Sequence, residues 1–198
     1  MNTEYEKLLS YYRSVNKFNE MTGQEGDVSL AIKLIQEKVQ ETFDAIDKED
    51  EKEIVGGICD VLVTCYGLVR QSPKLESEIK YAADYPISSE YSLILMWVAN
   101  SLDIGEYSKF VYWTQMLFIE ASKNKSWNMH ENMLRVLDSN LAKFPTDESV
   151  AKESVLSHEA NGVECFYEEV QGAYRIVRKS DGKILKPVGW KSPEIIIG

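Results

Sequence analysis

The chain has few of the side chains from which most metal and redox centres are built. Its 198 residues include three cysteines, Cys59, Cys65 and Cys165, and two histidines, His130 and His158, which lie 28 positions apart. An odd number of cysteines at these positions fits no zinc-ligand spacing. We therefore expect Cys59 and Cys65, which lie in an apolar run, to be small core residues in a reducing compartment.

Long apolar segments and positive charge are also scarce. The longest strongly apolar run, residues 54–69, is too short to span a membrane and contains Asp60. The first residues, MNTEYEKLLSYYR, lack the pattern of a signal peptide. The net charge of −10 opposes binding to duplex nucleic acid or to an anionic membrane. We expect a cytoplasmic globular protein of one domain, or one domain with an appendage.

Apolar residues recur at helical spacing over most of the first 145 residues. The pattern predicts helices at about 4–21, 28–47, 51–71, 89–102, 105–123 and 128–143. A buried strand is an alternative over residues 54–65, because Ile, Val, Thr and Cys dominate that stretch. Length favours the helix there, since the apolar pattern continues past the usual length of a strand.

The composition changes after Pro145. Residues 146–162 predict a polar linker with at most one helical turn, and AYRIVRKSDGKILKPVGW predicts a β-hairpin that turns at Asp181-Gly182. Residues 172–191 hold six basic residues and one acidic residue, which indicates either a bound anion or a solvated hairpin. The predicted fold class is all-α: a helical domain at 1–145, then a linker and basic tail at 146–198 with a small β-hairpin or extended segment.

Three acidic residues share one face of the second predicted helix. Glu37, Glu41 and Asp44 are spaced i, i+4 and i+7, and at 100° per residue they fall within about 60° of one another. The same side carries Leu30 and Leu34, while the main apolar stripe points the other way. A helix that is apolar on two sides is usually sandwiched between helices or lies in a dimer interface.

The next predicted helix carries Asp60, with Glu53 on the same face seven residues earlier. If the two helices form an antiparallel hairpin, Glu41 and Asp60 come level with each other. Clustered carboxylates are relieved by a cation, and oxygen ligands of this kind suit Mg²⁺. The alternatives are that the acids form an ordinary solvated face, and that Asp60 pairs with Lys38 or caps a neighbouring backbone group.

Four separated parts of the chain, with the pair of acidic helices counted as one, resemble a known superfamily and follow its order. LIQEKVQETFDAI and EIVGGICDVLVTCYGL are similar to the acidic helices of the MazG-like all-α nucleoside triphosphate pyrophosphohydrolases, which include phosphoribosyl-ATP pyrophosphohydrolase. VNKFNEMTGQE, SNLAKF and RKSDGKILKPVGWKSPEI resemble segments of the phage-type branch of that superfamily. The resemblance implies a MazG-like helical bundle that assembles as a homodimer or homotetramer, and a phage-encoded protein in the host cytoplasm.

The acid motifs depart from the family at three positions. The family has Glu-Glu-x-x-Glu on the first acidic helix, and here the second Glu is Lys38. The Glu of the family's Glu-x-x-Asp is Gly57, and the earlier acid of the phage-type branch is Gly56. Glu53, one turn before Gly57, is the nearest substitute. These losses predict either weakened metal binding or a protein that keeps the fold without the chemistry.

For an active member, the resemblance implies Mg²⁺- or Mn²⁺-dependent hydrolysis of a nucleoside triphosphate, either ribo- or deoxyribo-, to monophosphate and pyrophosphate. Glu37, Glu41 and Asp60 would hold the metal, and Asp44 or Glu53 would accept the proton of the attacking water. The substrate-binding candidates implied by the resemblance are Lys38, Asn140, Lys143, Lys183 and Lys186. The rival is a non-catalytic MazG-like protein that binds nucleotides or a host protein.

Overall fold

The computed structural model describes residues 3–23, 28–69, 74–84, 89–103 and 105–198. Eight α-helices lie in these ranges: α1 (Thr3–Thr22), α2 (Val28–Asp47), α3 (Glu51–Val69), α4 (Leu75–Asp84), α5 (Tyr91–Asp103), α6 (Tyr107–Ala121), α7 (Met129–Leu141) and α8 (Glu148–Ala160). Three strands follow: β1 (Cys165–Val170), β2 (Ala173–Arg178) and β3 (Ile184–Leu185). The predicted all-α class with a small C-terminal sheet is confirmed.

Two compact units divide the chain. Unit 1 comprises Met1–Asn16, Glu25–Leu137 and Glu194–Gly198, and unit 2 comprises Lys17–Gln24 and Asp138–Pro193. Each unit has its own hydrophobic core, with the larger cluster in unit 1 and a smaller cluster around Met21, Phe144 and Ala173 in unit 2. The chain leaves unit 1 after Leu137 and returns to it at Glu194.

Residues 54–65, for which the sequence allows either a helix or a buried strand, are helical. Residues 54–65 lie inside α3, which is paired with α2, and α3 also packs against α6. Nine side chains of α3 between Ile54 and Tyr66 are buried, so this helix is covered on most sides. Cys59 and Cys65 are free and fully buried, as predicted for small core residues.

One helix of unit 1 was missed. The apolar pattern predicts no element at residues 75–84, and the structure has α4 there, packed against α6. Its buried face is only Leu75, Ile79, Ala82 and Ala83, so the stripe of large apolar residues that predicts a helix is too narrow to recognise. None of the described helices is both long and apolar enough to cross a membrane.

The predicted polar linker at 146–162 is wrong. Residues 148–160 form α8, which packs against β1 and β2. Asp147 caps this helix by accepting a hydrogen bond from the backbone N–H of Ser149 at 2.8 Å. The side chains that α8 buries are Ala151 and Ser154, and residues this small and polar give no apolar periodicity in the sequence.

The predicted hairpin is part of a larger sheet. The strand order is β1-β2-β3, both pairings are antiparallel, and the turn at Asp181-Gly182 follows β2 as predicted. The missed strand is β1, which joins β2 through the two-residue turn Gln171-Gly172. Both turn residues have positive φ, 49° and 79°, as the tight hairpin turn that suits twisted strands requires.

A buried tyrosine fastens α1 to α7 inside unit 1. Tyr11 Oη and His130 Nδ1 are 2.8 Å apart, and His130 Nε2 lies 3.4 Å from Glu4 Oε1. With the ring proton on Nε2 facing Glu4, the Tyr11 hydroxyl donates to Nδ1. Burial lowers the pKa of His130, and the nearby Glu4 carboxylate opposes this without reversing it. The neutral imidazole is therefore the form that this contact stabilises.

We predict that protonation of His130 weakens the fold. The pKa of His130 is lower in the folded protein, so the unfolded chain binds the proton more readily. The stability that neutral His130 contributes is therefore complete above the ordinary histidine pKa of 6.5, and it is lost as the pH falls through the pKa of the folded protein. The measurement is the urea midpoint between pH 7.5 and pH 5. His130→Gln should flatten the decline and the control His158→Gln should not, whereas equal slopes would contradict the assignment.

Candidate functional site

The predicted acid face of α2 lies on the surface of unit 1. Glu37, Glu41 and Asp44 are all exposed, and Asp44 accepts a hydrogen bond from Gln40 Nε2 at 2.8 Å. On the same helix Leu34 is 43% exposed, while the side chain of Leu30 lies outside the described residues. The three acids therefore project from one helix as the spacing predicted.

Asp60 faces a lysine. Its Oδ2 lies 3.3 Å from Lys38 Nζ, and the same ammonium lies 2.8 Å from Glu41 Oε2. The hairpin of α2 and α3 does bring Glu41 and Asp60 level, and one cation now serves both carboxylates. Of the alternatives for Asp60, pairing with Lys38 is confirmed. Although Asp60 belongs to the longest apolar run of the sequence, its side chain is 38% exposed.

The ion pairs change the acidity of Lys38. Partial burial by itself lowers the pKa of an ammonium, but the hydrogen bond to Glu41 and the charge of Asp60 outweigh it, so the pKa of Lys38 is raised. The side chain is about one-third exposed, and solvent screens the attraction. Lys38 is thus held charged between the two carboxylates at any physiological pH.

Helices α2 and α3 approach each other closely at Gly57, where the family resemblance expects a glutamate. A Cβ atom built on Gly57 would lie 2.4 Å from Thr42 Oγ1, closer than any real contact. Thr42 is fully buried, and its hydroxyl donates to the carbonyl of Lys38 at 2.7 Å. Gly57 is therefore a packing residue. Thr42 was missed because helical phase shows which face a residue lies on and not how near the next helix is.

Gly56, the second position where the resemblance expects an acid, and Glu53, the nearest substitute, have different surroundings. A Cβ on Gly56 would lie 3.6 Å from Ile195 Cγ1, an ordinary contact with the end of the chain. Glu53 is exposed in the first turn of α3, where its backbone N–H donates to the capping carboxylate of Asp50 at 3.1 Å. Neither position places a further carboxylate beside Asp60.

The donor set as arranged does not fit a divalent ion. Across the part of the chain that the structure describes, no three Asp, Glu, His or Cys side chains come close enough together to hold a metal. An ammonium already lies between Asp60 and Glu41, and a divalent ion there would be repelled by it. Mg²⁺ or Mn²⁺ binding by Glu37, Glu41 and Asp60 stays a prediction that requires Lys38 to move.

The remaining predicted substrate ligands belong to unit 2. Lys143 Nζ donates to Asn140 Oδ1 at 2.7 Å and lies 5.5 Å from the ring centroid of Phe18. The two residues thus form one local pair at the end of α7. The Lys143 ammonium is therefore partly buried and is held by an amide oxygen and an aromatic face.

The two lysines of the tail are exposed. Lys183 follows the Asp181 turn, where its backbone N–H donates to Asp181 Oδ1 at 3.1 Å. Lys186 Nζ lies 3.9 Å from the ring centroid of Trp190, a cation–π contact, and its carbonyl accepts from His158 Nε2 at 2.9 Å. The backbone of this segment is well anchored within unit 2, and its ammonium groups remain accessible.

Comparisons with known protein families, with curated proteins and with solved structures find no match to this chain.

We predict that Gly57→Ala destabilises the fold by roughly 1–3 kcal/mol, because the added methyl group overlaps Thr42 between two packed helices. The matched control is Gly56→Ala, where the new Cβ meets Ile195 at ordinary distance and alanine gains about 1 kcal/mol of helix propensity. Urea unfolding of both variants measures the difference. Equal effects at the two glycines would contradict the close approach of α2 and α3.

Proposed function

We propose that this chain is a MazG-like helical protein that binds a nucleoside triphosphate without metal-dependent hydrolysis. The observation that carries the proposal is the position of Lys38, whose ammonium lies within 3.3 Å of both Asp60 and Glu41. The family resemblance requires a metal at those carboxylates, and here a covalently attached cation neutralises them.

The packing of the hairpin supports the same conclusion. Gly57 stands where the resemblance expects a metal-ligating glutamate, and Thr42 leaves no space there for a side chain. The loss of the acid is therefore tied to the way that α2 and α3 pack. Two features of the hairpin, a resident ammonium and a filled ligand position, disfavour a divalent site.

The nucleotide is proposed from the chemistry of unit 2. Lys143, held by Asn140, and the accessible lysines Lys183 and Lys186 offer positive charge of the kind that a triphosphate needs. They fall in the SNLAKF and tail segments that carry the family resemblance. A protein of net charge −10 that concentrates six basic residues in one tail segment favours a compact anion over a duplex.

A second candidate is the Mg²⁺- or Mn²⁺-dependent pyrophosphohydrolase. One observation favours it: Glu41 and Asp60 already converge on a single cation, and Glu37 and Asp44 are exposed nearby on α2. This candidate requires the Lys38 ammonium to leave its place between the carboxylates. As arranged, the donors do not fit the metal on which its chemistry would depend.

We also propose a homodimer or homotetramer in the cytoplasm, including that of a host cell for a phage-encoded chain. The apolar side chains of Val28 and Leu34 on α2 are 50% and 43% exposed, which fits a helix packed against a second copy. The three cysteines are free, as expected in a reducing compartment.

Calorimetric titration with each common ribo- and deoxyribonucleoside triphosphate, with and without Mn²⁺, tests the proposal alongside a pyrophosphate assay. We expect binding without pyrophosphate release, and no Mn²⁺ uptake by the unaltered protein. Lys38→Glu should gain Mn²⁺ binding, seen as a melting temperature that rises with Mn²⁺ and falls again with chelator, because three carboxylates then meet without an ammonium.

Lys33→Glu makes the same charge change at an exposed position of α2 and serves as the control, for which we expect no response to Mn²⁺. Mn²⁺ uptake and pyrophosphate release by the unaltered protein, both abolished in Asp60→Ala, would establish the second candidate instead. Failure of every triphosphate to bind would refute the nucleotide ligand while leaving the Lys38 prediction to be judged on Mn²⁺ alone.

A further inference from the structure

The last five residues, Glu194–Gly198, lie along the helices of unit 1 as an extended segment. The backbone N–H of Ile196 donates to Asn132 Oδ1 at 2.9 Å, and its carbonyl accepts from Asn132 Nδ2 at 2.8 Å. The Gly198 N–H donates to the carbonyl of Ser126 at 2.9 Å. We refer to residues 194–198 as the terminal segment.

The side chain of Asn132 forms hydrogen bonds with the backbone of the terminal segment. Its side chain is fully buried, and besides Ile196 it donates to the carbonyl of Trp127 at 2.8 Å. One amide thus satisfies both backbone groups of Ile196, which is how a neighbouring β-strand would pair with it. Recognition of this kind is suited to an extended peptide laid into a groove.

Alternate side chains of the terminal segment point into unit 1. Ile195 and Ile197 pack against its main core, as the two-residue period of an extended chain requires. Ile195 lies over Gly56, one helical turn from Asp60. The groove therefore recognises two apolar side chains and the peptide group between them.

The connection that precedes the terminal segment is short and extended. Within unit 2, the carbonyl of Lys191 accepts a hydrogen bond from Ser139 Oγ at 3.2 Å. Ser192 and Glu194 are exposed, with Pro193 between them. Proline fixes its own φ and restricts the preceding residue to extended conformations, so this hinge does not readily fold back on itself.

We propose that the groove at Asn132 also takes the terminal segment of a second copy of this chain, which gives a dimer by exchange of residues 194–198. The bonds to Asn132 and Ser126 are identical whichever copy donates the segment, so the two arrangements differ mainly in hinge strain and effective concentration. In the exchanged dimer, Ile195 of the partner copy forms the wall beside Gly56. This inference is independent of nucleotide binding.

Cross-linking between two chains that each carry one introduced cysteine tests the exchange in the full-length protein. Ser126→Cys marks the groove and Gly198→Cys marks the segment, since the backbones of the two residues are hydrogen-bonded. The native cysteines are buried and burial raises their pKa, so a short bis-maleimide reacts with the introduced thiols. Mixing the two variants at increasing concentration should give a cross-linked heterodimer.

The heterodimer should exceed by about tenfold that formed when Ser149→Cys, an exposed position on α8, replaces Ser126→Cys. Adding Ile195→Asp to the Gly198→Cys chain should abolish the product without altering the helices of the acceptor, and Asn132→Ala in the acceptor should do the same. A dimer built on α2 alone would be insensitive to Ile195→Asp.

The double variant Ser126→Cys/Gly198→Cys reports the docking within one chain. Intramolecular cross-linking there, with no heterodimer in the mixture at any concentration, would overturn the exchange. Absence of both products would show that the groove is not filled by this segment and would equally overturn it. A heterodimer that exceeds the product of the Ser149→Cys control mixture and is lost in Ile195→Asp supports the proposal.

Discussion

The close pairing of α2 and α3 is the constraint on which the rest of unit 1 depends. α3 is buried on most sides, and its one charged residue after the first turn, Asp60, reaches the surface where α2 supplies an ammonium. The pairing is tight because Gly57 has no side chain and Thr42 fills the space. Ion pair and glycine contact are thus two results of one helix–helix interface.

That interface determines which cation contacts the acid face of α2. Carboxylates on a helix attract a cation whatever its source. Here that cation is the Lys38 ammonium, which α2 itself supplies three residues before Glu41. The charges of Asp60 and Glu41 are therefore countered from within the helical hairpin.

Much of this arrangement is predictable from the sequence, and the elements that are not predictable have identifiable physical reasons. The spacing of Glu37, Glu41 and Asp44 gives their common face, and the length of the apolar run identifies α3 as a helix. The sequence does not predict α4 and α8, because these helices bury few or small side chains. The partner of Asp60 was one of several alternatives, since sequence gives the phase of each helix and not the distance between two helices.

The contact between Gly57 and Thr42 also limits which sequences this fold can reach. A glycine codon can become one for aspartate or glutamate by a single base change. With either residue at position 57, however, α2 and α3 would have to move apart. A carboxylate at position 57 therefore requires a smaller residue at position 42 first. The order of those two steps is imposed by geometry, so descendants of this sequence are far more free to alter position 38 than position 57.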